Sequence, residues 1–209
     1  MLKEILKTVA LGFKMIFLLS FVSPNDLLGQ EAVKINRLSI PIEFDGVPDE
    51  DSWRTLDSLP LTMHKPNFGL QPSEKSEVRI GYDEEFLWIG ASLFMRNASS
   101  IFAVSKKRDE ELSDYDAFGI VLDTYDDNEN GLAFFTTPTG LRTDYTISND
   151  ATQAGGGGGR GSSINYNWNT FWDVKTTRDD KGWYVEMRIP FSSLKFKYVN
   201  DVAVMGLII

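Results

Sequence analysis

An all-β sandwich is the fold class this sequence predicts, and three observations carry it. Apolar and polar residues alternate with period two in several short runs. Turn-forming Asp, Asn, Gly and Pro residues separate those runs. Only one short stretch reads as a helix. Strands with one apolar face need a second layer to cover it, and two packed sheets supply that layer.

The first segment stands apart from the core. Lys3, Lys7 and Lys14 precede the apolar run Met15–Val22 and a polar stretch from Ser23, the layout of a signal peptide over residues 1–30. A spanning helix needs about 20 apolar residues, and Lys14 interrupts the run, so export is expected rather than a membrane anchor. Residues 31–209 read as one domain. The chain has no cysteine, which excludes disulfides, thiolate metal sites, iron–sulfur clusters, cysteine nucleophiles and a lipoprotein anchor. Burial alone must hold the fold, and 42% hydrophobic residues suffice for that. The net charge of −9 argues against nucleic-acid partners.

Within the domain, Asp49 is placed to cap one or two helical turns through Glu50–Leu56. Ser76–Leu93 reads as a hairpin: Val78, Ile80 and Tyr82 alternate before the turn Asp83-Glu84-Glu85, and Leu87, Ile89, Ala91 and Leu93 alternate after it. Ala117–Asp123 and Leu132–Thr137 form a second hairpin around Tyr125–Gly131. Gly182–Pro190 is the clearest strand, with Trp183, Val185, Met187 and Ile189 on one face and Tyr184, Glu186 and Arg188 on the other. Residues 151–163 are a Gly-rich loop, either functional or a tolerated insertion. Val202–Ile209 reads as a strand without a polar end, so the sandwich is expected to be truncated at the C-terminus.

An ordered set of motifs resembles a known family. Phe44-Asp45-Gly46-Val47-Pro48-Asp49-Glu50-Asp51-Ser52-Trp53, then Pro72–Asp83, Arg108-Asp109, Asp116–Thr124, Gly182-Trp183 and Ile189–Phe196 follow the order of domains similar to the family 9 carbohydrate-binding modules. The resemblance implies a β-sandwich of jelly-roll or immunoglobulin-like type, an extracytoplasmic location and sugar binding. The relatives it suggests are N-terminal domains of large exported bacterial proteins that continue into an outer-membrane β-barrel. In such modules a sugar lies between aromatic rings, and calcium braces the loops. Three features depart from the pattern: Met95-Arg96-Asn97-Ala98-Ser99 lacks the usual Asp-x-Pro, Thr137-Pro138-Thr139-Gly140 replaces Asn-Pro-x-Gly, and the run Gly155–Gly159 is unexpected.

The candidate platform is Asn165–Asp173, NYNWNTFWD. Flat rings stack on the C–H face of a pyranose, and amides pair its hydroxyls. In an extended strand Trp168 and Trp172 share parity while Phe171 faces oppositely, so a tryptophan is expected exposed and the Phe171–Val174 region packed inward. Ordinary core packing is the competing reading. The candidate carbohydrate-binding set is Trp168, Trp172, Asn167 and Asn169, joined by Tyr115, Asp109 and Asp116 from the acidic group that also holds Glu110, Glu111 and Asp114. Asp126, Asn128 and Asn130, followed by Gly131, have the spacing of the first half of a calcium loop. Thr137 stands where the bidentate acid belongs, and a solvated hairpin turn explains the same residues.

Other residues have structural readings. Trp53 is expected to plug one end of the sandwich, Trp183 to sit in the core and Trp88 to occupy a less buried face. His64 beside Met63 is a thin basis for haem ligation, since adjacent extended residues point apart. The sequon Asn97-Ala98-Ser99 matters only in a glycosylating pathway. Carboxylates are plentiful, but the chain is short for glycosidase folds and no catalysis is expected. The function expected is a non-catalytic carbohydrate-binding module of an exported cell-envelope protein, with a polysaccharide or oligosaccharide partner. The rival expectation is a structural domain of an outer-membrane protein that has lost the sugar site.

Overall fold

A computed structural model describes residues 32–105, 107–109, 112, 115–149, 163–200 and 202–209. The expected signal segment 1–30, residues 151–162 of the expected Gly-rich loop, and Glu110, Glu111 and Asp114 lie outside them. The chain divides into two compact units, Met1–Lys34 and Ile35–Ile209. Of the first, residues 32–34 are described and carry no regular structure; the second is the sandwich.

Its first sheet joins β1 (Asn36–Arg37), β2 (Ser76–Tyr82), β3 (Phe86–Phe94), β8 (Asp173–Arg178) and β9 (Gly182–Pro190) in the order β1-β2-β3-β9-β8. The second joins β4 (Phe118–Asp123), β5 (Gly131–Thr136), β6 (Arg142–Ile147), β7 (Ile164–Asn165) and β12 (Gly206–Ile208) in the order β12-β4-β5-β6-β7. A short hairpin of β10 (Tyr198–Val199) and β11 (Val202–Ala203) precedes β12. Pairings are antiparallel apart from β1 with β2.

Side-chain alternation decides which face is buried. Ile80 opposes Ile89, which opposes Met187, and all three point inward. From the second sheet Ile120 opposes Phe134, and both join the same core with Trp172, Trp183 and Val185. Full burial of one such side chain contributes about 1.5–3 kcal/mol.

The outward face of the first sheet has its own cover. The single α-helix among the described residues, α1 (Asp51–Arg54), begins later than expected, and its N-cap is Glu50 without a side-chain capping bond. Asp49 therefore does not cap it. Glu50 instead accepts from the Glu43 backbone N–H at 2.7 Å, closing the strap that leads into the helix. Trp53 is fully buried in a second cluster with Leu56 and Trp88, against Leu38, Ile42, Phe44 and Phe86. Trp88 does face away from the main core, as alternation requires, but the strap buries it.

One carboxylate fastens this strap. Glu186 is fully buried on the outward face of β9. Its Oε2 accepts from the backbone N–H groups of Asp45 at 2.9 Å and Gly46 at 2.8 Å, and its Oε1 from Trp53 Nε1 at 2.9 Å. Gly46 has φ +98°, and a Cβ there would lie 2.9 Å from the Lys175 carbonyl carbon, so only glycine lets the strap approach β8 so closely. At Gly90 a Cβ would meet Pro48 at 2.8 Å and the Trp53 ring at 3.0 Å. The FDGVPDEDSW motif is thus a structural fastening, in which Phe44, Gly46, Pro48 and Trp53 have packing reasons.

Candidate functional site

The candidate site is built at the β6 edge, beyond the short reach of β7. There Asp109 runs beside the strand: its N–H donates to the Arg142 carbonyl at 3.1 Å, and its Oδ1 accepts from Asp144 N–H at 3.4 Å. Asp109 has φ +59°, which turns the chain and aims the preceding Arg108 across the strand. Asp144 opposes Phe134 and so faces inward, fully buried, at a position where alternation calls for an apolar residue. Arg108 Nη2 pairs with Asp144 Oδ1 in a short contact, while Arg108 Nε donates to Asn169 Oδ1 at 3.0 Å. Asp144 Oδ2 accepts from Thr170 N–H at 2.9 Å. Arg142 Nη1 donates to the Trp172 carbonyl at 2.7 Å. Segment 165–172 is therefore clamped to β6 at Asn169, Thr170 and Trp172 by charged groups.

The clamp fixes which rings are offered. Trp172 is 2% exposed and packs edge-on against Phe134 at 5.5 Å, so it belongs to the core and offers no stacking face. Its indole Nε1 has no partner among the described residues. Trp168 is half-buried against the same Phe134 ring at 6.1 Å. Phe171, expected inside, is 87% exposed. The expectation is inverted because strand β8 starts only at Asp173; residues 166–172 form turn and coil, where strand parity has no force.

The other expected residues divide. Asn165, Asn167 and Asn169 are exposed along the segment, with Asn165 Oδ1 accepting from Asn167 N–H at 3.0 Å. Asn169 and Asp109 both touch Arg108. Tyr115 and Asp116 serve the Phe102 segment instead: Asp116 Oδ2 accepts from Phe102 N–H at 2.7 Å, and the Tyr115 and Phe102 rings stack at 5.8 Å. The sequence does not single out Asp144 or Thr170; it offers Arg108 only within a family motif and Phe171 as an inward-packed ring. Asp144 left no signal in the sequence, because the strand that turns it inward lacks apolar alternation.

The expected calcium residues form a turn. Asp126 and Asn128 adopt positive φ. Asp123 accepts from the N–H groups of Tyr125 and Asn128, and Asp127 from those of Glu129 and Asn130. The Asn130 side-chain amide, ahead of those N–H groups, holds the Asp127 carboxyl below its usual range. These acids close their own hairpin, as Asx turns do. Among the described residues no group of three or more His, Asp or Glu side chains is placed to hold a metal.

The sequence matches no protein-family model and no curated protein. A family 9 carbohydrate-binding module from Caldicellulosiruptor kristjanssonii in complex with glucose superposes with a TM-score of 0.51, at 16% identity, over 83% of this chain and 74% of that one. The chain has the fold of a family 9 carbohydrate-binding module. A module from the same organism in complex with cellotriose superposes with a TM-score of 0.50, at 17% identity, over 83% of this chain and 72% of that one. The module fold thus pairs the strapped first sheet with a second sheet whose β6 edge carries the Arg108–Asp144 clamp.

Proposed function

We propose that this protein is a non-catalytic carbohydrate-binding module, and that its sugar site is the rim at Phe171. The observation that carries the reading is an almost fully exposed phenylalanine on a segment clamped by buried charge and lined with three asparagines. Such a ring has no packing role, and its flat face suits the C–H face of a pyranose. Asn167, Asn169 and the Arg108 guanidinium stand ready for the hydroxyls. The fold likeness to modules solved with glucose and cellotriose supports the same ligand class.

One stacked ring and a few amides make a shallow site, so affinity is expected between micromolar and millimolar, roughly −8 to −4 kcal/mol. The basic, apolar N-terminal segment supports export; a role in carbohydrate uptake or breakdown at the cell envelope is the further part of the proposal, drawn from the sugar-binding reading. The motif resemblance extends that proposal to an outer-membrane β-barrel partner. Calcium enters as a modifier to be tested, not as a ligand the site requires.

The test is calorimetric titration of the intact chain with glucose, cellotriose and a panel of oligosaccharides, in calcium and again in EDTA. Phe171→Ala should weaken binding by about threefold to tenfold, the value of one stacked ring, and leave the melting temperature unchanged because the ring packs on nothing. Flat titrations at millimolar sugar from folded protein would overturn the reading. A structural domain of an envelope protein would then replace it.

A further inference from the structure

Residues 63–70 leave the sandwich as a closed tip. At its base Leu59 and Leu61 pack against the main core, and the Leu59 N–H donates to the Val78 carbonyl at 2.8 Å. Beyond them the Met63 N–H donates to the Leu70 carbonyl at 2.7 Å, and the Gly69 N–H to the Met63 carbonyl at 2.9 Å. Gly69 has φ +81°, the left-handed conformation that glycine adopts without steric cost. The tip is thus held by its own backbone, with every residue from His64 to Leu70 exposed.

What the tip offers is apolar and locally basic. Phe68 is 82% exposed and Leu70 56%, and both lie outside the two apolar clusters of the sandwich. The His64 ring meets the Phe68 ring edge-on at 6.1 Å and steadies it. Between Asp57 and Glu74 the sequence has no acid, and Lys65 stands within that stretch. In a chain of net charge −9, this is a distinct surface.

We propose that the tip is a lipid-contacting loop: Phe68 and Leu70 enter the interfacial layer of an anionic phospholipid bilayer, while Lys65 meets its headgroup phosphates. The proposal stands apart from the sugar reading. Size and charge name the occupant. A stable protein partner needs about 1,000 Å² of interface or more, which a tip of this length does not present, whereas a bilayer closes around whatever enters it. The apolar side chains gain by leaving water, and the lysine stem reaches back to the headgroups. Acids elsewhere on the chain are screened over about 8–10 Å at ordinary salt, so they do not cancel the local attraction. One such tip gives reversible contact rather than an anchor.

The chain has no cysteine, so Asn67→Cys places a single fluorescent label on the tip, and Asp180→Cys, exposed between β8 and β9, serves as its control. The intact labelled chain is titrated with phosphatidylglycerol vesicles carrying brominated acyl chains, with the phosphatidylcholine equivalent, and with cellotriose. The anionic vesicles should quench the Asn67 label and shift its emission to the blue, and leave the Asp180 label unchanged. That contrast separates the tip from the apolar run Met15–Val22. Phe68→Ser/Leu70→Ser should raise the lipid concentration at half-quenching about tenfold or more, and Lys65→Ala about fivefold at low salt. These side chains are exposed, so the melting temperature should not move. Quenching that is absent at Asn67, equal at both labels, or unchanged in Phe68→Ser/Leu70→Ser overturns the proposal, as does a tip label that answers to cellotriose and not to vesicles. Quenching of the tip beside flat cellotriose titrations overturns the Phe171 site and leaves this surface standing.

Discussion

Glu186→Ala is expected to lower the unfolding free energy by about 3–5 kcal/mol, because it leaves buried donors without their acceptor. Those donors are the Asp45 and Gly46 N–H groups and the Trp53 indole, all at 2.8–2.9 Å from the carboxylate. Urea denaturation followed by circular dichroism measures it, and a loss under about 1 kcal/mol would refute the fastening. The same residue sets a pH dependence. Burial raises its carboxyl from 4.5 to about 7, offset by the Gly46, Trp53 and Asp45 donors and augmented by Glu50. Below pH 4.5 both states hold the proton; between 4.5 and 7 the folded state alone keeps it, so stability falls as pH rises. The fall should be on the order of 3 kcal/mol, complete above about pH 7, and Glu186→Gln should flatten it in that window.

Asp144→Ala should have the second largest effect. It removes the partner of Arg108 and the acceptor of the Thr170 N–H together. The Arg108 side chain keeps partial access to water, so the expected loss is about 2–3 kcal/mol, less than for a fully buried pair. Segment 165–172 should also loosen. Hydrogen exchange at the Thr170 amide should then rise well beyond the global change, and oligosaccharide affinity should fall with Phe171 intact. Affinity unchanged in the folded variant would show that the clamp does not position the rim. Asp144→Asn, which keeps the shape and one acceptor, should lie between.

Both sites show where sequence reasoning reaches and where it stops. Strand Gly182–Pro190 was legible to the residue, since its apolar positions alternate without interruption. The hairpins were legible too, because their turns carry Asp, Asn and Gly. Strand Arg142–Ile147 was not, for its inward positions hold Arg142 and Asp144 rather than apolar residues. The local pattern put Glu186 outward correctly, but the strap that buries it lies more than a hundred residues earlier. Trp172 and Phe171 were exchanged because period two was extended into a segment that is not a strand. Local alternation reports a strand's faces, whereas burial by a distant segment leaves no local trace.

The pairing of β3 with β9 has a consequence for how the chain is made. Residues 86–94 bond along their whole length to residues 182–190, from Phe86 with Pro190 to Phe94 with Gly182. During synthesis, then, β3 waits with an open, apolar edge for a strand still to emerge, and the strap waits for its carboxylate. An interrupted chain would display that edge, a template for aggregation. Non-local closure of this kind is slow beside helical folding. The first sheet therefore closes only when residues 182–190 are present to pair with β3 and to bring Glu186 to the strap.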